Sequence, residues 1–138
     1  MSVEEENKAK QCRVWEEVFN KGNLEIIPEL LAPNYVSHES GAKGPEGFKQ
    51  ALTMVRTAFP DFHCTIDDML AEGYKVVTRY TMTGTHKGEY MGIAPTGKKV
   101  TSTGIVITRW AGGKEVEAWG VSDMLAMYQQ LGVSPPGQ

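Results

Sequence analysis

The spacing of apolar residues predicts helices in the first half of the chain and again at its end. Residues 4–21 carry apolar side chains at helical intervals with charged residues between them, and residues 24–31 follow the same pattern. A third helix is expected from Gly44 onward, and its apolar face is continuous along Phe48, Leu52, Val55 and Phe59. Residues 124–131 predict a closing helix, which Gly132 ends.

After residue 60 the period of the apolar positions changes to two, which is typical of strands. Four consecutive antiparallel strands are predicted at residues 62–71, 75–83, 98–110 and 114–121, and a short extended piece is predicted at residues 34–39.

Helices followed by consecutive strands indicate an α+β domain. The simplest packing curls the sheet around the N-terminal helices and leaves a cavity between the two layers. Residues 1–138 are expected to form a single domain, with its core at residues 4–132 and an irregular tail at residues 133–138.

The glycine-rich segment at residues 84–97 interrupts this scheme. A loop of this length inside a small domain often forms the rim or lid of a site. The alternative is a strand extension with bulges, and the sequence leaves both interpretations open.

Composition and charge exclude several classes of function. The chain is 41% hydrophobic and 22% charged, with a net charge of −3 and no basic run, so a nucleic-acid partner is not expected. The acidic, polar N-terminus does not resemble a signal peptide, and no apolar run approaches the ~20 residues that span a bilayer. No membrane partner is expected. The protein is expected to be cytoplasmic.

The cysteines and histidines lack the spacing of metal ligands. Cys12 and Cys64 are expected to act as small buried side chains, and His63 as a structural residue. Neither a metal nor another cofactor is expected.

The stretch from Gly112 to Leu125 predicts a tight turn, a strand with Glu117 and Trp119, and then Asp123 where the last helix begins. Two interpretations of Asp123 follow. Its carboxylate faces a pocket beyond the strand, or it caps the helix, a position at which aspartate is favoured, and the two roles are not exclusive.

Several short motifs, in this order and spacing, resemble the SnoaL-like polyketide cyclases of the nuclear-transport-factor-2-like superfamily. They are Asn20-Lys21-Gly22-Asn23, Gly44-Pro45-Glu46-Gly47, Phe59-Pro60-Asp61, Gly84-Thr85-His86-Lys87-Gly88, Pro95-Thr96-Gly97, Glu117-Ala118-Trp119, Asp123 and Gln130-Leu131-Gly132. The resemblance covers about residues 14–132. It implies a cone-shaped α+β fold, in which a curved antiparallel sheet wraps around helices and encloses an apolar pocket, and commonly a homodimer.

The resemblance also implies cofactor-free, intramolecular aldol ring closure of an apolar, carbonyl-bearing small molecule. A carboxylate near the end of the last strand acts as acid and base in the characterised cyclases, and Asp123 matches it best. His38 is the candidate for polarising the substrate carbonyl. His86 is a third catalytic candidate, although a role in orienting its loop through backbone hydrogen bonds is favoured.

Arg79 either faces the pocket as a partner of a substrate oxyanion or pairs with an acid on the outer face of the sheet, such as Glu117. The outer pair is the more frequent arrangement for such a residue. The other candidates for the substrate-binding wall are apolar or aromatic, and some of them are expected to be plain core: Trp15, Phe19, Phe48, Phe59, Tyr90, Met91 and Trp119.

Two alternatives to a cyclase stay open. Family members often carry a histidine where this chain has Ala118, which favours a non-catalytic protein that binds an apolar ligand in the same pocket. An isomerase or epoxide hydrolase of the same fold is the other alternative.

Overall fold

The helices lie where the apolar spacing predicts them. The computed structural model describes residues 1–135, so the last three residues of the predicted tail lie outside the described range. The helical elements are α1 (Val3–Arg13), a π-helix (Val14–Asn20), a 3₁₀ turn (Leu24–Ile26), α2 (Ile27–Leu30), α3 (Gly44–Ala58) and α4 (Met124–Leu131).

The ends of these helices follow ordinary capping chemistry. The Ser2 hydroxyl accepts the backbone N–H of Glu5 at 3.1 Å and caps α1, whose first turn is rich in glutamate. Helix α4 ends at Gly132, which has a φ of 77° in the left-handed region. The sequence prediction of this closing helix and its stop is confirmed.

Helix α1 passes directly into the π-helix, which carries two aromatic side chains towards the sheet. The rings of Trp15 and Phe19 are 5.2 Å apart, and the Trp15 ring lies 4.8 Å from that of Tyr80. Short π-helical segments are frequent at functional sites, because the extra residue redirects the side chains that follow.

Five strands form one sheet in the order β1-β5-β4-β3-β2. Their bounds are β1 (Leu31–Ser37), β2 (His63–Glu72), β3 (Lys75–Thr85), β4 (Lys99–Ala111) and β5 (Lys114–Ser122). Strands β2 to β5 are consecutive and antiparallel, as predicted. Strand β1, predicted only as an extended piece, pairs parallel to β5 at the edge of the sheet, a pairing that no local pattern signals.

Alternation along the strands separates a concave face, which meets the helices, from an outer face. On β3, Val76 and Met82 are buried while Arg79 is exposed, in agreement with the predicted division of that strand. Cys64 on β2 is buried and reduced, whereas Cys12 on α1 is half-buried and reduced.

The segment at residues 84–97 combines both predicted interpretations. Strand β3 extends through Thr85, and a loop then runs to residue 98. His86 closes this loop, since its N–H donates to the Lys98 carbonyl at 2.9 Å and its carbonyl accepts the Gly97 N–H at 2.8 Å.

A close approach on the concave face yields a first prediction. Gly104 stands opposite Tyr80 in the β3–β4 ladder, and a Cβ at position 104 would lie 2.9 Å from Cε1 of the Tyr80 ring and closer still to the phenol oxygen. We expect Gly104→Ala to lower the free energy of unfolding by about 1–3 kcal/mol, because the ring must move from its packed position. Urea denaturation measures the change.

Gly47→Ala is the matched control. Gly47 lies inside α3, where an added Cβ would make ordinary contact with Ala42 at 3.5 Å between the two Cβ atoms. The same chemical change should there stabilise the protein by roughly 0.5–1 kcal/mol, because alanine favours the helix. Equal effects of the two substitutions would contradict the proposed crowding at Gly104.

Candidate functional site

A cavity of about 260 Å³ lies between the concave face of the sheet and the helices. This volume is just below the range for small-molecule sites, roughly 300–1,000 Å³. Most of the lining residues are apolar: Val14, Trp15, Phe19, Tyr35, Ala42, Phe48, Ala51, Leu52, Val55, Phe62, Cys64, Tyr80, Met82, Tyr90, Val106, Ala118, Gly120, Met124 and Met127. The polar remainder is Gln11, Ser37, Glu39, Ser40, Ser102, Thr108, Glu115 and Ser122.

Glu115 is a carboxylic acid buried in the cavity wall, 3% exposed. A bulge makes this possible: Arg109 pairs with Glu117 and Trp110 with Glu115, so Val116 is the extra residue and the alternation of β5 reverses. Burial raises the pKa of Glu115 to about 8 and is the sole cause of that shift. The group is therefore predominantly protonated at neutral pH and can donate a hydrogen bond.

Polar side chains share the cavity with Glu115. Burial, followed by the neighbouring Glu115, raises the pKa of the Tyr35 phenol well above its usual range. Gln11 is buried, donates to the Thr78 hydroxyl at 3.4 Å and accepts from the Thr108 hydroxyl at 3.4 Å. This region combines a neutral acid, a neutral phenol and an amide.

A second polar region lies where the cavity opens to solvent. Glu39, in the loop between β1 and α3, is exposed and also lines the cavity. The Ser122 hydroxyl donates to Glu39 Oε2 at 3.3 Å. Burial raises the pKa of Tyr80 to about 12, and Glu39 adds to the shift. The pKa of Tyr90 is raised by the same causes and by Tyr128.

The structure brings four of the predicted wall residues to the cavity and places the other four elsewhere. Trp15, Phe19, Phe48 and Tyr90 line it. Phe59 belongs to the closed core, Met91 is exposed, and Arg79 and Trp119 lie on the outer face of the sheet.

Asp123 lies outside the set of cavity-lining residues and has the capping geometry. Its Oδ1 accepts the backbone N–H of Ala126 at 3.0 Å in the first turn of α4, and its side chain is exposed. The neighbours Ser122 and Met124 line the cavity instead. Of the two interpretations of Asp123, the structure displays the cap.

His38 also lies outside the cavity lining. Its Nε2 is 2.6 Å from Glu117 Oε2, and its ring stacks on Trp119 with 5.3 Å between the centroids. Its hydrogen bond to Glu117, followed by that from Arg109, lowers the pKa of Glu117. His38 thus fastens the loop to the outer face of β5, while the next residue, Glu39, reaches the cavity.

Arg79 pairs on the outer face, as favoured, but with a different acid. Its guanidinium lies 3.9 Å from Asp67 Oδ2, whereas Glu117 binds Arg109 at 3.0 Å. The suggested Arg79–Glu117 pair is wrong, because those two strands are separated by β4.

His86 is fully buried and holds its loop rather than lining the cavity. Its Nδ1 accepts the Thr96 N–H at 3.2 Å, which leaves the proton on Nε2. That Nε2 is buried without a hydrogen-bond partner among residues 1–135.

Sequence reasoning missed Glu39 and Glu115, the two carboxyl groups of the cavity. For Glu39 a signal was present, because alternation along the extended piece predicted at residues 34–39 places Glu39 on the face opposite to His38. For Glu115 the deciding feature is the bulge at Val116, which has no clear signature in the sequence.

Among residues 1–135 no group of three or more histidine, cysteine, aspartate or glutamate side chains is arranged to hold a metal ion. Within the same residues, every helix is too short or too polar to cross a membrane.

Comparison with known proteins assigns the chain to a family. Residues 9–131 match the sequence profile described as SnoaL-like polyketide cyclase. The chain belongs to the SnoaL-like polyketide cyclase family. Aklanonic acid methyl ester cyclase DauD of Streptomyces sp. (strain C5) is 29% identical to it over 122 residues, which are 84% of this chain and 76% of DauD.

Solved structures agree with this assignment. Wild-type IdmH of Streptomyces antibioticus has a TM-score of 0.81 at 33% identity, covering 92% of this chain and 99% of IdmH. AclR of Streptomyces galilaeus, for which a hydroxylase activity has been suggested, has a TM-score of 0.84 at 29% identity, covering 96% of this chain and 88% of AclR. The α+β cone implied by the family resemblance is confirmed.

The buried acid yields a prediction about stability and pH. The Glu115 carboxyl ionises near 4.5 in the unfolded chain and near 8 in the folded one. Between these values the unfolded state binds fewer protons, so wild-type stability should fall as pH rises, by up to about 1.4 kcal/mol per pH unit. This decline should end above pH 8.

Glu115→Gln removes the titrating group and keeps its shape. Urea denaturation of both proteins between pH 5 and pH 9 should show the stability of the variant gaining on that of the wild type up to about pH 8. Parallel stability curves would rule out a neutral, buried Glu115.

Proposed function

We propose that the protein is a cofactor-free enzyme that closes a ring in a carbonyl-bearing, polyketide-like small molecule by acid/base catalysis. Membership of the SnoaL-like polyketide cyclases supports the substrate class, as does the name of the relative DauD, an aklanonic acid methyl ester cyclase. The observation that carries the proposal is Glu115, a carboxylic acid held neutral inside a largely apolar cavity.

A neutral acid in that position suits the charge that aldol chemistry creates. Removing a proton next to a carbonyl places negative charge on the carbonyl oxygen, and a fixed donor in a water-poor site stabilises that charge strongly. Glu115 and the neutral phenol of Tyr35 are such donors. They need no metal to act.

The cavity walls would supply the remaining requirement, which is to bring the two ends of a flexible substrate together. Aromatic side chains from the π-helix and α3 enclose the space, with Phe19 and Phe48 rings 5.6 Å apart. In a ligand folded between them, the two reacting groups of one molecule are held next to each other. Such positioning raises the rate by several powers of ten.

A second candidate is a binding protein without catalysis. Ala118 and Gly120, the inward positions of β5 in the middle of the cavity, carry no functional group. The same walls would then hold an apolar ligand unchanged. Isomerisation or epoxide hydration would instead use the two carboxyl groups of the cavity.

The test is incubation with aklanonic acid methyl ester, followed by chromatography and mass spectrometry. Ring closure by an aldol reaction gives a product of unchanged mass and new retention time, with DauD as the positive control. Glu115→Leu should lower turnover by roughly 10²-fold, because a transition-state donor is lost. Turnover by the wild type should also decline as pH rises through about 8, where Glu115 ionises.

Asp123→Asn serves as the control variant, since asparagine caps helices as well as aspartate does. Unchanged turnover is expected, because the Asp123 side chain lies outside the cavity lining. Loss of turnover in this variant would return the role of base to Asp123. Tight binding of the ester without any product would favour the non-catalytic alternative.

We also propose a homodimer formed through the outer face of the sheet. Exposed apolar side chains stand opposite one another there, as Ile105 pairs with Val121 and Ile107 with Trp119. A contiguous apolar patch of this kind is typical of a protein interface, and a self-complementary sheet face suits a twofold dimer.

Val121→Glu should convert a dimer into a monomer, because the side chain is 77% exposed in the single chain and its charge would be buried on association. Sedimentation equilibrium measures the mass. Met54→Glu, on α3 and 67% exposed, is the control that should remain dimeric. A monomeric wild type at micromolar concentration would exclude the dimer.

A further inference from the structure

Strand β5 carries no side chain at Gly120 in the cavity wall. The carboxylate of Glu39, from another part of the chain, fills that space. Gly120 lies between Ala118 and Ser122, which face the cavity with it. A Cβ at position 120 would meet Glu39 Oε1 at 2.9 Å, Cδ at 3.2 Å and Oε2 at 3.5 Å, and these are its three nearest atoms. The Glu39 carboxylate therefore lies directly on the backbone of Gly120.

The loop that carries Glu39 is held by hydrogen bonds on both sides. The His38 N–H donates to the Ala118 carbonyl at 2.8 Å, and the Gly41 N–H donates to the Ser37 carbonyl at 2.9 Å. The Ser40 N–H donates to the Ser37 hydroxyl at 3.2 Å. With the His38 ring fixed on the outer face, the adjacent side chain is directed inward.

The surroundings of Glu39 leave its carboxylate oxygens accessible to a molecule bound in the cavity. It forms no ion pair with a lysine, arginine or histidine in residues 1–135. The Ser122 hydroxyl donates one hydrogen bond to it. Glu39 also contributes to the raised pKa values of the Tyr35, Tyr80 and Tyr90 phenols, which places it near them. A carboxylate without a cation, in contact with both solvent and an apolar cavity, is placed as a base.

We propose that Glu39, seated over Gly120 and oriented by Ser122, is the general base of the cavity. This rests on the proposed function, since it assigns the proton acceptor of the same reaction. The carboxylate comes from the loop between β1 and α3, and β5 contributes only the space.

The step balances without a further reactant. Glu39 removes a proton from the carbon next to a substrate carbonyl. The electron pair of that C–H bond forms a C=C bond, and the π pair of the carbonyl moves to its oxygen, which accepts a hydrogen bond from a neutral donor such as Tyr35 or Glu115. The resulting carbon nucleophile forms a C–C bond to a second carbonyl. The oxygen of that second carbonyl becomes an alkoxide and takes the proton from Glu39, and Glu39 is a carboxylate again.

Four variants separate this role from a structural one. Glu39→Gln keeps the shape and removes the base, and general-base catalysis is typically worth about 10²–10⁴-fold in rate. Gly120→Ala retains residue Glu39 but pushes its carboxylate out of its wild-type position. We expect the rate to fall by about 10²-fold or less. Ser122→Ala should give a smaller loss. Glu46→Gln, on the surface of α3, is the control that should keep the wild-type rate.

Two reactions are followed with each variant, and thermal melting checks that all are folded. One is ring closure of aklanonic acid methyl ester. The other is the opening of 5-nitrobenzisoxazole, in which a base removes a proton from carbon and a coloured phenolate forms, so that it reports the base without requiring the polyketide. We expect Glu39→Gln to abolish catalysis of both reactions and Gly120→Ala to impair both.

The outcomes distinguish this inference from the proposed function. If Glu39→Gln catalyses both reactions at the wild-type rate, Glu39 is not the general base. Ring closure that persists in Glu39→Gln upholds the cyclase and overturns the base. Benzisoxazole opening that depends on Glu39, without ring closure by the wild type, upholds the base and overturns the cyclase. A wild type inactive in both reactions overturns both.

Discussion

The cavity depends on small side chains at the inward positions of β4 and β5. Ser102 on β4, and Ala118 and Gly120 on β5, leave space in the cavity wall where a close-packed interior would place larger residues. Gly104 on β4 is also small, and its missing side chain makes room for the Tyr80 ring. Tyr80 lies across Gly104 and Glu39 across Gly120, so longer side chains from other elements use part of that space. Empty volume in a core lowers the free energy of unfolding, and here the same empty volume forms the candidate site.

Most of the fold could be predicted from the sequence, because its elements have strong local periodicity. The apolar face of α3, the alternation of β3 and the capping of α4 each depend on residues a few positions apart. The parallel pairing of β1 with β5 joins segments about 80 residues apart and has no such local signal.

The candidate site was less predictable, because the faces of β5 do not follow hydrophobicity. Trp119 and Val121 are apolar yet lie on the outer face, whereas Glu115 is acidic and buried. The hydrophobic residues of β5 therefore indicate the wrong side of the strand as the one that faces the cavity. The inward residues are better marked by small size, as at Ala118 and Gly120.

A carboxylate delivered by a loop separates the reactive group from the scaffold that shapes the cavity. The loop between β1 and α3 can change in length or composition while the ladder between β4 and β5 stays intact. Relatives aligned strand by strand would then differ in chemistry at a position where their sheets look alike. For protein engineering, exchange of residues 37–42 alone offers a way to move or replace the acid while the walls that hold the ligand stay the same.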